Sequence, residues 1–141
     1  MSTPEKLSPL ARHIIFVQTQ IIHKSDLPED QGAAGVVRDY GVFGSIGFFL
    51  EYEAKFDTLA DSVKRVAWIL HAIAVRHPFQ NGNKRTAFVV ADAILREEWG
   101  FRIGASQGEK GNFLIEVADY RHDVDDVEGW IWKYLEKDDD I

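Results

Sequence analysis

Two amphipathic helical patterns flank one polar stretch, and any fold for this chain must carry that stretch between two buried helices. Upstream, Val63, Val66, Ala67, Leu70, Ile73 and Ala74 recur at the three-and-four spacing of a helix face that packs on a core. Downstream, Phe88, Ala91, Ile94 and Leu95 repeat the pattern, and Gly100 is well suited to end that helix. Between them runs His77-Pro78-Phe79-Gln80-Asn81-Gly82-Asn83-Lys84-Arg85-Thr86-Ala87. Asn81-Gly82 is a turn signal, and Asn83 is a preferred N-cap residue. A turn that opens a helix leaves several backbone N–H groups without partners, and their dipole favours an anion. Lys84 and Arg85 at that point make a phosphate the expected anion, with His77 upstream as a proton acceptor. A histidine between helix and turn is often only a cap, and paired cations are often a solvated face. Their combination here favours a phosphate site beside a general base.

At 141 residues, with 45% apolar and 28% charged side chains, the chain is long enough to bury a core. One domain over residues 1–141 is expected, packed between about 8 and 137 with loose ends. A net charge of −7 argues against binding nucleic acid through a basic face and suits a basic partner segment. The absence of cysteine excludes disulfides and thiolate metal sites and fits a reducing cytoplasm. Apolar runs are shorter than a membrane span, and no signal-peptide core opens the chain, so a cytoplasmic protein without membrane contact is expected.

Leu10, Ile14, Phe16, Val17, Ile21 and Ile22 predict a first helix ending near His23-Lys24-Ser25, and Leu27 to Gly35 reads as a loop. His13 and His23 lack partners at metal-ligand spacing and read as structural or solvated residues. Val36 to Phe49 is apolar, but glycines at 41, 44 and 47 weaken a helix there by about 1 kcal/mol each. Either that helix breaks or another backbone approaches it closely. Arg38-Asp39 fits a local salt bridge or a ligand role. Leu50, Tyr52, Ala54 and Phe56 alternate with charged residues, which suits an extended segment or a half-buried loop. Asp57 or Thr58 should cap the helix that leads to His77. Phe101 to Lys110 reads as a polar connection, followed by a helix through Phe113, Leu114, Val117 and Tyr120. Asp123 to Asp126 suits the start of a last helix with Trp130, Ile131, Tyr134 and Leu135 on one stripe. Trp132 falls off that stripe and is a candidate partner contact, and the tail from Lys137 is expected to fray.

The contiguous run HPFQNGNKRTA resembles the signature loop of the Fic/Doc family, and most closely its short death-on-curing (Doc) toxin branch, which carries lysine where Fic nucleotidyl transferases carry glycine. Weaker likeness extends through Val37-Arg38-Asp39-Tyr40-Gly41 and the spacing of the C-terminal helices. The resemblance implies a compact all-α domain with the loop between two central helices and a short β flap. His77 would take the proton from a hydroxyl on a target protein. Gly82 and Asn83 would offer backbone N–H groups to phosphate, while Lys84 and Arg85 neutralise its charge, and Phe79 would anchor the loop in the core. Tyr52 and Ala54 fall where the family aligns its target by adding a strand. Two positions depart from the Fic pattern. Asn81 replaces the Asp or Glu that holds Mg²⁺, which keeps an oxygen ligand but weakens the site, and Phe88 replaces a second arginine.

Together with Lys84, these departures imply a Doc-like enzyme that uses ATP and Mg²⁺ to transfer the γ-phosphate to a translation protein such as elongation factor Tu. AMP transfer, and a weakly catalytic binding module, are the alternatives. The Fic self-inhibition motif needs Ser or Thr four residues before a Glu-Gly or Glu-Asn pair, but Val124 precedes Glu128-Gly129. The resemblance therefore implies restraint by a separate antitoxin of the prevents-host-death kind.

Overall fold

A computed structural model describes residues 7–52 and 58–139, with the side chains of 48–52 left aside. Six α-helices and one two-stranded sheet are present among them, so the all-α expectation holds. Helix α1 (Pro9–His23) opens on Ser8, whose hydroxyl accepts the Ala11 N–H. A 3-10 turn (Pro28–Asp30) interrupts the loop that follows, and α2 (Gly41–Tyr52) comes next. Helix α3 (Leu59–Arg76) is capped by Thr58, the second of its two expected caps. Helix α4 (Asn83–Trp99) ends on Gly100 in the left-handed conformation (φ 70°), as its sequence predicts. Strand β1 (Phe101–Ile103), α5 (Gln107–Ala118), α6 (Val124–Tyr134) and strand β2 (Leu135–Lys137) complete the chain.

Helix α3 is the centre of the molecule, packed chiefly on α4 and α6. Val63, Val66, Ile69, Leu70 and Ile73 are fully buried along it. Each such side chain contributes about 1.5–3 kcal/mol of burial. No helix among the described residues is long and apolar enough to cross a membrane.

Several local expectations are corrected. Helix α2 forms despite its glycines, because Val42, Phe43 and Ile46 give it a buried face. Among the described residues nothing lies within 4 Å of a Cβ built at Gly44 or Gly47, so close backbone approach does not explain them. The helix runs through Leu50, Glu51 and Tyr52, which removes the front half of the expected extended segment. Ala54 and the rest of that flap lie outside the described residues.

The connection after Gly100 contains β1, paired antiparallel with β2 in the register Phe101↔Lys137, Arg102↔Glu136 and Ile103↔Leu135. Leu135 therefore leaves the last helix, and Lys137 is in a strand rather than a frayed tail. Asp138 is buried there, 3.4 Å from Arg96. Tyr120 lies beyond α5, 76% exposed and with φ 64°, because the helix ends at Ala118.

Candidate functional site

His77 ends α3, and it does so in the left-handed region (φ 50°, ψ 63°). That conformation costs a non-glycine residue about 1–2 kcal/mol, and residues held in it cluster at functional sites. Its imidazole is exposed, with no hydrogen-bond partner among the described residues. Two residues on, Phe79 is 1% exposed, its ring 5.9 Å from that of Phe43. Its ring is therefore buried within the core two residues after His77.

Helix α4 begins differently from its sequence reading. Gly82, not Asn83, is the residue before the first turn; it takes φ 80°, and no side chain caps the helix. The Asn83 amide turns back instead, accepting the Phe79 N–H at 2.9 Å and donating to the Phe79 carbonyl at 2.9 Å. It clasps the loop and leaves the helix amides alone. The first intrahelical bond is Thr86 N–H to the Gly82 carbonyl, so the amides ahead of it form an open N-terminus. Lys84 is exposed on that turn. A Cβ at 82 would lie 3.1 Å from Ile22 Cδ1, so the loop also sits close against α1.

Beside this loop runs the segment from Ser25 to Asp39, joined to it at point after point. Val37 bridges Phe79, Gln80 N–H donates to the Val36 carbonyl, and the Arg38 and Asp39 amides both donate to the Pro78 carbonyl. The Asn81 side-chain amide donates to the Glu29 carbonyl. Gln18, fully buried on α1, donates to the Asn81 and Ala33 carbonyls at 3.1 Å and accepts the Gly35 N–H at 2.7 Å. The expected Arg38–Asp39 salt bridge is absent among the described residues. Asp39 accepts the Gly41 N–H at 2.9 Å instead, as a turn-forming aspartate does.

Arg85 donates through both terminal nitrogens to Asp30, at 3.0 and 3.1 Å. Asp30 is 1% exposed, and the Ser25 hydroxyl donates to the same carboxylate. The Arg85 hydrogen bonds, and after them the Ser25 bond, hold the Asp30 carboxyl below its ordinary pKa against the opposing effect of burial. Sequence reading singled out neither Gln18 nor Asp30, because nothing local marks them. On its other side Arg85 borders a groove of about 200 Å³ that Phe88, Val89, Lys110 and Leu114 also line. The Lys110 ammonium stands 4.5 Å from the centre of the Phe88 ring. A larger hollow of about 410 Å³, beside Arg102 and Glu136 at the sheet, includes none of the loop residues.

No group of three or more His, Asp or Glu residues is arranged for a metal among the described residues. With its amide nitrogen engaged by Glu29, Asn81 has its side-chain oxygen as the one group it offers to a cation.

An exposed, strained histidine thus ends one central helix, and the next opens without a side-chain cap and with two cations in its first turn. A model of the Fic/DOC family matches residues 10–95, well over half of the chain, and the chain belongs to that family. Its members are typically transferases that use nucleotide substrates, often with Mg²⁺. A search of curated proteins found no match.

Proposed function

We propose that this protein transfers the γ-phosphate of ATP to a Ser or Thr hydroxyl on a translation protein resembling elongation factor Tu. It would act as the toxin of a two-component pair, restrained by a small antitoxin of the prevents-host-death kind. The observation that carries the reading is the uncapped start of α4. Its free amides, Gly82 and the neighbouring Lys84 suit a phosphate in chemistry and in charge.

His77 accepts the proton of the target hydroxyl as that oxygen bonds to the γ-phosphorus. The bond to the β–γ bridging oxygen breaks, and ADP leaves. Lys84, Arg85 and the α4 amides stabilise the charge on the transferring group. Asn81 is the protein group that would hold Mg²⁺, through its neutral side-chain oxygen, and the ion would offset phosphate charge. Phe88, only 8% exposed, fills the place where Fic nucleotidyl transferases carry their second arginine. That favours presentation of the γ- over the α-phosphorus.

ATP labelled on the γ-phosphorus should mark a protein in a translation extract, and ATP labelled on the α-phosphorus should not. The reverse labelling would make the protein an AMP transferase. No label from either would leave a binding module.

A further inference from the structure

We propose that Asp30 is a positioning residue for this transfer, holding Arg85 from within so that its outer N–H groups meet the phosphate already aligned. The proposal rests on the reading of Arg85 as a phosphate ligand. Both terminal nitrogens of Arg85 bond to Asp30, one to each carboxylate oxygen, in the bidentate geometry that fixes the guanidinium plane. Asp30 lies 1% exposed beneath a guanidinium side chain that is 42% exposed, so the carboxylate faces the interior and Arg85 the solvent. Ser25 fixes the carboxylate in turn by donating to Oδ2. One residue away, the Glu29 carbonyl accepts from Asn81, so the same turn steadies both ends of the Gly82 corner.

Arg85 does not leave this partner cheaply. Withdrawing it to wrap a phosphate would strand a buried carboxylate without a cation, which is costly. The guanidinium therefore stays in place and uses its remaining donors, of the five it has, toward the anion. Pairing also cancels most of its charge. Attraction of the nucleotide then falls to Lys84 and the helix N-terminus, while Arg85 supplies direction.

Opposite movements in binding and rate follow when Asp30 is neutralised, because Arg85 gains net charge and loses its alignment. Asp30→Asn is nearly isosteric and still accepts a hydrogen bond. ATP binding with Mg²⁺, and γ-label transfer in a translation extract at saturating ATP, are measured for the wild type, Asp30→Asn, Arg85→Ala and the double variant. Asp30→Asn should bind ATP about threefold to tenfold more tightly. Its transfer rate should fall by roughly tenfold to a hundredfold. In the Arg85→Ala background the Asp30 change should no longer lower the transfer rate, while ATP binding still tightens because the same negative charge is removed. Ser25→Ala leaves the carboxylate charge in place, so it should lower the rate by less with ATP binding unchanged, and it carries the test if Asp30→Asn does not fold.

Unchanged values in Asp30→Asn, a parallel loss of binding and rate, or the same loss of rate without Arg85 would overturn the positioning role while leaving the functional reading intact. A folded wild type that neither binds ATP nor labels a protein would overturn both.

Discussion

Helices α4 and α5 face one another across the groove that Arg85 and Lys110 line, yet they start in opposite ways. Helix α5 opens on a complete capping box. The Ser106 hydroxyl accepts the Glu109 N–H at 3.1 Å, and the Glu109 carboxylate accepts the Ser106 N–H at 3.0 Å. Helix α4 opens on Gly82 with no side-chain cap and carries two cations in its first turn, where the helix dipole prefers anions. A missing cap costs about 0.5–2 kcal/mol, and each misplaced charge about 0.3–1 kcal/mol. One start is built for stability. The other leaves open the groups that an anion would satisfy, and it follows directly on a strained histidine.

If the contrast is functional, the largest effect belongs to the base beside the open start. His77→Ala should lower transfer by about a hundredfold to ten-thousandfold with the helical signal intact. A folded variant at the wild-type rate would remove His77 from the mechanism. Lys84→Glu inverts the charge at the open start and should separate stability from activity. Unfolding should become harder by roughly 0.3–1 kcal/mol, because the new charge suits the dipole. Transfer should fall by about a hundredfold or more, as when an oxyanion donor is lost. Loss of both together would make Lys84 a structural residue. Asn81→Asp should lower the Mg²⁺ concentration for half-maximal activity, on the order of severalfold, by adding charge toward the ion. The bond to the Glu29 carbonyl goes with it. An unchanged or higher requirement would count against metal contact at 81.

The same contrast explains what the sequence could disclose. Periodicity in α3 and α4, the Thr58 and Asp123 caps and the buried Phe79 are local or depend only on one helix face, so the chain displays them directly. Asn83 looked like a cap because its residue type and position suit one, and only the folded loop gave its amide the better partners at Phe79. Gln18 and Asp30 reach the loop across 63 and 55 residues, and no local pattern encodes such a contact. The three-residue strands are too short to show a period of two, and Leu135 fits a helical stripe as readily as a strand. Around the site, the loop itself was legible and the frame that holds it was not.

Smaller effects test the closed start. Ser106→Ala removes the hydroxyl of the α5 box and should cost about 0.5–2 kcal/mol of stability. Denaturant titration reads that loss, and transfer by the folded variant should stay near the wild-type rate. A rate that fell with the cap would mean that the two helix starts are coupled across the groove.

The smallest effect is a pH dependence at Glu109. The Tyr134 hydroxyl donates to its carboxylate at 2.6 Å, and the Ser106 amide and hydroxyl add to that, holding its pKa down to about 2. The same contact raises the Tyr134 pKa. Because the folded value lies below the unfolded one, the unfolded chain takes up the proton first as the pH falls. The stabilisation is therefore full above the ordinary glutamate range, shrinks below about pH 4.5 and is gone near pH 2. Glu109→Gln keeps an oxygen for the Ser106 amide but lacks the charge that holds Tyr134. Its deficit against the wild type should be small and salt-sensitive, since the group is exposed. Denaturant midpoints of the two proteins at neutral pH and stepwise down to pH 3 should converge below about pH 4.5. A gap that stayed constant over that range would mean that the carboxylate charge contributes nothing, and that the box acts through hydrogen-bond geometry alone.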